Sequence, residues 1–440
     1  MNRKVYIETY GCQMNVADSE VVVSILTDQG YSHTGDIKEA ELILINTCSI
    51  RENAEQRIRG RLKAIGHLKK GNDKLVIGLI GCMAERLKEK ILEEENLVDM
   101  VVGPDAYRQL PSLINEAESG HRAVNVLLSR EETYADIPPV RLDKNGVTSF
   151  VSIMRGCNNM CAYCVVPYVR GAERSRNPES ILNEVKDLLN KGYREVTLLG
   201  QNVDSFRWEE NNHLTDFPLL LEKVALISPS LRVRFSTSHP KDISDDLLKT
   251  MARHNNICKH LHLPVQSGSS RILKLMNREY SREWYTDRIK AVRSIIPGCS
   301  VSTDIIAGFC TETEEDHQAT LSLMEWAGFD FAYMFRYSER PGTKAARKYK
   351  DDVTDEIKTK RLNEIIALQN KLSSRSKKQD VGRIFEVLIE DFSKRSQDHL
   401  SGRTSQNKVA VFPGEGHKKG DYVNVLVERC TSATLIGKIV

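Results

Sequence analysis

Cys12, Cys48 and Cys82 each follow a β-branched run by one or two residues, in Tyr-Gly-Cys12, Asn-Thr-Cys48 and Ile-Gly-Cys82, at intervals of 36 and 34 residues. Such an interval is one strand–helix repeat, which leaves few folds open. The periodicity predicts strands at 4–9, 41–45, 74–80 and 98–102, with helices at 17–29, 51–68 and 85–95 between them. This alternation predicts an open parallel sheet with helices on its faces. Parallel strands end at one edge, where such folds hold their ligands. Three cysteines remote in sequence are therefore expected to converge, and Gly11 and Gly81 beside them let the backbone approach a bulky group. Three unrelated buried thiols are the ordinary alternative, because free cysteine packs as a small apolar residue. Their shared topological position favours a three-thiolate metal site.

A second cysteine group is compact. Met154-Arg-Gly-Cys-Asn-Asn-Met-Cys-Ala-Tyr-Cys164 sets Cys157, Cys161 and Cys164 in a CxxxCxxC spacing with no fourth cysteine nearby. Three thiolates can hold three corners of a 4Fe–4S cluster and leave one iron for a small molecule. An open coordination position separates a catalytic metal site from a structural one. The four-cysteine ferredoxin run instead closes each cluster with protein ligands. A zinc knuckle lacking a ligand is the alternative, and structural zinc wants four ligands.

At 440 residues the chain exceeds one compact core, so two or three domains are expected. The start, MNRKVYIETYGC, has no apolar run fit for a signal peptide, and no stretch reaches the length of a membrane span. A cytoplasmic protein is the expectation. Ten cysteines in a reducing compartment point to metal ligands before disulfides. A net charge of +3 decides little. The Lys- and Arg-rich stretch 344–378 could steer a polyanion, with a solvated helix face as the plainer reading.

The organisation expected is an α/β chain: residues 1–130 as the first sheet domain, a polar linker with a Pro-Pro pair over 131–147, a central unit over 148–377 and a last unit over 378–440. In the central unit, strands at 149–154, 195–199, 231–236, 260–265, 300–306 and 329–337 predict a partial (β/α) barrel with its chemistry at the C-terminal strand ends. The CxxxCxxC loop follows the first of these strands. Gly200-Gln201-Asn202, Ser236-Thr-Ser238, Gln266-Ser-Gly268 and Asp304-Ile-Ile-Ala-Gly308 mark the later ends. Each alone reads as a turn or cap; together they line one face. A charged helix over 355–376 leads to strands at 383–390, 399–403, 408–412, 422–428 and 433–439, a small OB-like barrel of a kind that commonly binds oligonucleotides. Cys258, Cys299, Cys310 and Cys430 are read as packing or solvent-facing residues, and His239, His260 and His262 as structural.

The CxxxCxxC triad, with aromatic Tyr163 before its last cysteine, resembles the radical S-adenosylmethionine superfamily. Over nearly the whole chain the sequence is similar to the tRNA methylthiotransferases, whose terminal barrel is a TRAM domain. Tyr10-Gly-Cys-Gln-Met-Asn15 and Asn46-Thr-Cys-Ser-Ile-Arg-Glu-Asn-Ala-Glu-Gln-Arg57 resemble the branch that modifies isopentenyl-adenosine beside the anticodon. Val166-Pro-Tyr-Val-Arg-Gly-Ala-Glu-Arg-Ser-Arg176 is similar to the stretch after the cluster loop, with departures at Val169 and Ala172. Arg170, Glu173 and Arg176 stand as contributors of undefined role.

The resemblance implies two 4Fe–4S clusters, on Cys12/Cys48/Cys82 and on Cys157/Cys161/Cys164. It implies that the first carries the sulfur to be inserted, which one S-adenosylmethionine methylates. A second S-adenosylmethionine, cleaved at the other cluster, gives the radical that takes hydrogen from carbon 2 of the base. It further implies S-adenosylmethionine contacts at Tyr163, Gly200, Gln201, Ser236, Gln266, Asp304 and Gly308. The catalytic side chains stay unknown, the radical chemistry being centred on the clusters. The implied partners are tRNA, gripped by the terminal barrel with Arg403 and Lys408 as contacts, and an electron-donor protein, with no membrane and a monomeric chain. Other substrates, threonylcarbamoyl-adenosine or a ribosomal-protein aspartate, remain open, as does a non-catalytic iron–sulfur RNA-binding protein.

Overall fold

Strands covered on both faces read as unbroken apolar runs. Leu42–Thr47 (LILINT) and Val76–Gly81 (VIGLIG) are such runs, buried at every position. A computed structural model describes residues 3–48, 52–72, 74–142, 145–394, 396–414 and 416–440 of the chain. It sets these two strands at the centre of a six-stranded sheet in the order Tyr31–His33, Arg3–Tyr10, Leu42–Thr47, Val76–Gly81, Met100–Val102 and Ala123–Asn125. Every pairing is parallel. The two outermost strands were not expected, because three residues are too few to show a period of two. The helix expected over 51–68 runs as Glu52–Lys70, with Arg51 outside the described residues, as are Ser49 and Ile50 of its motif. The one expected over 85–95 is two short helices, Cys82–Leu87 and Lys90–Glu94, parted where Lys88 adopts φ 52°.

The central unit holds two three-stranded parallel sheets. One has the order Arg232–Ser236, Glu195–Leu199, Thr148–Ser152; the other has the order His260–His262, Ser300–Ala307, Phe331–Arg336. A bridge from Val233 to Ile257 links them into a partial barrel. Alternate strand residues (Val196, Leu198, Val233, Leu261, Ile305) face the outer helices in one apolar core. The residues between them face the barrel interior and are mostly polar. An antiparallel hairpin, Arg207–Glu210 with His213–Asp216, interrupts the rhythm.

The C-terminal unit is a closed barrel of Ile384–Ser393, Ser396–Thr404, Val409–Pro413, Thr434–Ile439 and Tyr422–Cys430. Its turn after Thr404 plugs the N-terminal end of the central barrel. Arg232 Nη1 donates to the Arg403 carbonyl at 2.7 Å and Arg234 Nη2 to that of Thr404, also at 2.7 Å. The Lys259 amide donates to Ser405 Oγ at 2.9 Å, and Ser300 Oγ to the Gln406 carbonyl at 2.7 Å. Arg403 and Lys408, expected on RNA, lie near this docked side. Lys408 Nζ is held by Asp380 at 2.6 Å and Asp330 at 3.3 Å, and Arg403 Nη1 donates to Asn407 Oδ1 at 3.2 Å. The helix Asp355–Lys378 is likewise no simple solvated face: Lys358 and Arg361 are buried on Asp351 and Glu312.

The N-terminal sheet is bolted to the central unit by charge. Buried Asp18, on the helix Gln13–Asp28, accepts from Arg155 Nη1 at 2.8 Å and from Arg170 Nη2 at 2.7 Å. Asp105 accepts from Arg174 at 2.9 and 3.0 Å. Burial pushes the Asp18 carboxyl up, but the two guanidinium charges override it and hold it below the usual carboxylate range. A carboxyl so depressed stabilises the junction above its unfolded pKa and loses that contribution as pH falls through its folded value. We expect the junction to weaken below about pH 4. Asp18→Asn should cost about 3–5 kcal/mol at neutral pH by leaving buried arginines uncompensated, and should flatten the acid limb; denaturant melts across pH check both.

Candidate cluster sites

Parallel register sets the first site. Tyr10 pairs with Thr47, and Thr47 with Gly81, so three adjacent strands end level. Adjacent strands lie about 4.8 Å apart, which brings the following residues Cys12, Cys48 and Cys82 to one edge. Cys12 caps the helix Gln13–Asp28 and Cys82 opens the helix Cys82–Leu87. A hydrogen-bonded floor fixes these turns: Asn15 Nδ2 donates to Asn46 Oδ1 at 3.0 Å, and Asn46 Nδ2 returns to the Asn15 carbonyl at 2.8 Å. A Cβ on Gly81, at φ 91°, would strike Asn46 Oδ1; one on Gly11 would lie 2.7 Å from Cys48 Cβ. Both glycines are thus required by close approach.

The thiols differ. The Cys12 thiol is pulled down to about 6, chiefly by its hydrogen bond with Cys48, with the Arg170 charge adding against burial. Burial pushes Cys82 up, and Arg170 opposes it. Arg170 Nε donates to Cys82 Sγ at 3.1 Å while its Nη2 holds Asp18. Its Nη1 is buried with no partner among the described residues. An unspent cationic donor beside three cysteines suits a site that binds an electron-rich sulfur group.

The second site sits on the loop after Met154–Arg155. The Cys157 amide donates to the Gly171 carbonyl at 3.1 Å, and the Cys164 amide to that of Cys161 at 3.0 Å. Gly156, at φ 75°, has no room for a Cβ against the Ala172 carbonyl. Burial raises the thiols of Cys157 and Cys164, to about 11 and about 12. Here too one buried arginine faces a cysteine: Arg278 Nη1 lies 3.2 Å from Cys161 Sγ and 3.4 Å from the Tyr163 hydroxyl. Its Nη2 donates to the Pro264 carbonyl at 2.9 Å and ties the loop to a strand end. No group of three His, Cys, Asp or Glu side chains among the described residues is gathered so that it could hold a metal ion. The sulfurs are brought to common edges, where their glycines and arginines leave space and positive charge for a larger group.

The other expected positions divide. Gly200 is held by packing, its Cβ position 2.5 Å from Met154 Cγ, and Gly308 by Lys358. Ser236 and Asp304 are half-buried at strand ends facing the interior. Gln266 adopts φ 71°, with its amide on the Asp304 carbonyl at 2.8 Å. Gln201 Oε1, Asn202 Oδ1, Asp204 Oδ2 and His239 Nε2 are buried without partners among the described residues. His239, read from sequence as structural, therefore belongs with the site. Burial and the Arg278 charge lower its ring to about 2, so it is neutral. Its Nδ1 accepts the Lys241 amide at 3.3 Å, which leaves Nε2 as a donor. Burial raises Asp204 to about 8. Sequence reasoning missed Arg278 and Asp204, whose only signal is partners formed through folding. Arg176 and Glu173 are engaged by Ser180 and Ser205, and Val169 is buried packing. Cys258 and Cys310 are buried and Cys299 and Cys430 half-buried; Cys310 packs in the apolar cluster that includes Ala162 and Tyr163 of the second loop.

Because net charge around an iron–sulfur cluster sets its potential, Arg278→Met should lower the potential of the cluster on the Cys157 loop by on the order of tens of millivolts, with Arg278→Lys closer to wild type. A redox titration followed by electron paramagnetic resonance checks this.

Comparison with known proteins matches three consecutive patterns: the Uncharacterized protein family UPF0004 over residues 4–103, the Radical SAM superfamily over 151–324, and the TRAM domain over 378–440. Among solved structures, the radical S-adenosylmethionine methyltransferase TsrM from Kitasatospora setae shares the fold, with a TM-score of 0.58 at 14% identity over 79% of this chain and 77% of that one. The tRNA-2-methylthio-N(6)-dimethylallyladenosine synthase of Amoebophilus asiaticus is 57% identical over 451 residues, covering 100% of this chain and 93% of its own. That of Bacteroides fragilis is 57% identical over 438 residues, covering 99% and 96%. That of Porphyromonas gingivalis is 56% identical over 441 residues, covering 100% and 95%. With the similarity running end to end, the chain belongs to the family of tRNA-2-methylthio-N(6)-dimethylallyladenosine synthases.

Proposed function

We propose that the chain attaches a methylthio group to carbon 2 of dimethylallyl-adenosine next to the anticodon of tRNA, with a 4Fe–4S cluster on each cysteine group and S-adenosylmethionine as methyl donor and radical source. The single observation that carries this reading is Arg170: six residues beyond Cys164, it donates to Cys82. That one side chain ties the segment after the CxxxCxxC loop to the edge that carries Cys82. When bound, the clusters and S-adenosylmethionine supply the sulfur, the methyl group and the one-electron chemistry that an unactivated aromatic C–H requires.

The protein's part is placement. Cys12, Cys48 and Cys82 hold the sulfur-bearing group, and Arg170 offsets its negative charge. Cys157, Cys161 and Cys164 hold the other, with Arg278 in the same role. Tyr163, Gln201, Ser236, Gln266 and Asp304 line the strand ends as contacts for S-adenosylmethionine, while Gly200 and Gly308 let the backbone pack beneath it. Neutral His239 aims an Nε2–H donor toward the same pocket. A loop base is single-stranded and can be splayed into such a pocket, the common mode of sequence-specific RNA recognition. The reading extends to units at 1–130, 148–377 and 378–440, a monomeric cytoplasmic protein and an electron-donor protein. Among the described residues no helix is long and apolar enough to cross a membrane.

The test is anaerobic: reconstituted protein, reductant, S-adenosylmethionine and tRNA with or without the dimethylallyl group, followed by nucleoside mass spectrometry. A methylthio mass increment only on the alkylated adenosine is expected. Cys48→Ala should abolish the product while deoxyadenosine still forms, and Cys161→Ala should abolish both. Deoxyadenosine with no modified nucleoside would reject the substrate.

A further inference from the structure

The edge strand Phe331–Arg336 carries aromatic rings at alternate positions. Phe331 is 48%, Tyr333 51% and Phe335 42% exposed. The register fixes their direction. Ser302 pairs with Phe331, Asp304 with Tyr333 and Ile306 with Phe335, while His262 pairs with Ser302. Partners in a parallel pair point to the same face. The opposite set (Leu261, Val301, Ile305, Ala332) is buried toward the helices, so the three rings face the open barrel interior. Contacts agree: the His262 ring meets Tyr333 edge-on at 5.8 Å, and Tyr333 meets Phe331 edge-on at 4.8 Å. His262 Nδ1 lies 2.9 Å from Ser302 Oγ, and its Nε2 3.4 Å from Asp304 Oδ1. An aromatic wall therefore rises from a polar floor. Its upper end reaches Gly308. The strand beyond its neighbour, His260–His262, leads to Pro264, whose carbonyl is held by the same Arg278 that touches Cys161.

Single exposed apolar residues are unremarkable, but a contiguous row on an inner face marks a binding surface. We propose that Phe331, Tyr333 and Phe335 receive the alkylated adenine, the base stacking on one ring and its branched five-carbon tail lying along the next. This rests on the functional reading above and adds to it the side chains that select the alkylated base. The chemistry suits that ligand. Flat rings stack with any unstacked base, and an uncovered apolar surface rewards burial of an alkyl group. His262, Ser302 and Asp304 form a mutually bonded polar floor beneath the rings. A free nucleobase without the tail would leave part of the row exposed, which is the basis for discrimination.

The experiment uses the full chain with both clusters reconstituted, and measures fluorescence anisotropy with two anticodon stem-loop RNAs, one carrying dimethylallyl-adenosine and one plain adenosine. Tyr333→Ala and Phe335→Ala should each weaken binding of the alkylated RNA about 10- to 100-fold, and should narrow the preference for it. Tyr333→Phe, which keeps the ring, should bind as wild type does. Trp326→Ala, an exposed aromatic on an outer helix, should change nothing. Iron content and unfolding temperature confirm that each variant is folded. Variants that keep both affinity and preference overturn the proposal. An equal loss for both RNAs overturns the assignment of the tail. Unchanged RNA binding with slower cluster reduction by a protein donor would hand the wall to that partner and overturn it too. If the wild type itself does not distinguish the RNAs, the functional reading fails, and this assignment with it.

Discussion

Asp18 lies at the centre of the molecule's charge balance. It is buried on the N-terminal unit, yet both of its ion-pair partners, Arg155 and Arg170, come from the central unit on either side of the CxxxCxxC loop. A buried charge of this kind is costly unless fully paired, so the two units have little freedom to sit otherwise. Arg155 also donates to the Pro104 carbonyl and packs over the Tyr134 ring at 4.9 Å. Arg174 spans the same seam to Asp105. The cluster loop is therefore clamped at its start and its end to the sheet that carries the other three cysteines. Site geometry here is a consequence of domain docking.

The two cysteine groups repeat one electrostatic solution. Burial disfavours the thiolate of Cys82 in one and of Cys157 and Cys164 in the other, and each group is faced by one buried arginine: Arg170 at Cys82 and Arg278 at Cys161. A guanidinium is suited to this because it stays charged when buried and its several donors can serve different partners at once. Arg278 uses its donors on Cys161, Tyr163, Tyr280 and Pro264. Arg170 divides its own between Asp18 and Cys82 and keeps one unspent. The asymmetry leaves one buried cationic donor without a partner at the first site, among the described residues.

Closure of the far end follows from the same logic. A partial barrel whose interior carries Arg232, Arg234 and Glu195 needs acceptors at its N-terminal end. The turn after Thr404 supplies them as backbone carbonyls. The C-terminal barrel is thus a structural plug as well as a module of an RNA-binding type. Along the edge strand the rings of Phe331, Tyr333 and Phe335 stay exposed.

Much was legible in the linear sequence, because strand–helix alternation, cysteine spacing and glycine punctuation are local signals. Runs such as LILINT and VIGLIG announce a parallel sheet wherever they occur, and the 36- and 34-residue intervals announce that the cysteines share its edge. The three-residue strands at 31–33 and 123–125 escaped because they are stabilised by neighbours and not by their own pattern. The pairing of Lys408 with Asp330 and Asp380 was not legible, because a lysine in a β-barrel looks free until its partners are folded beside it. By itself the sequence determined the fold class and the spacing of the cysteines. Tertiary structure alone decided that Arg170 and Arg278 answer those cysteines, that His239 is a neutral donor and that three aromatic rings face inward. Those properties depend on residues far apart in the chain, through burial and Coulomb interactions that exist only once the units have docked.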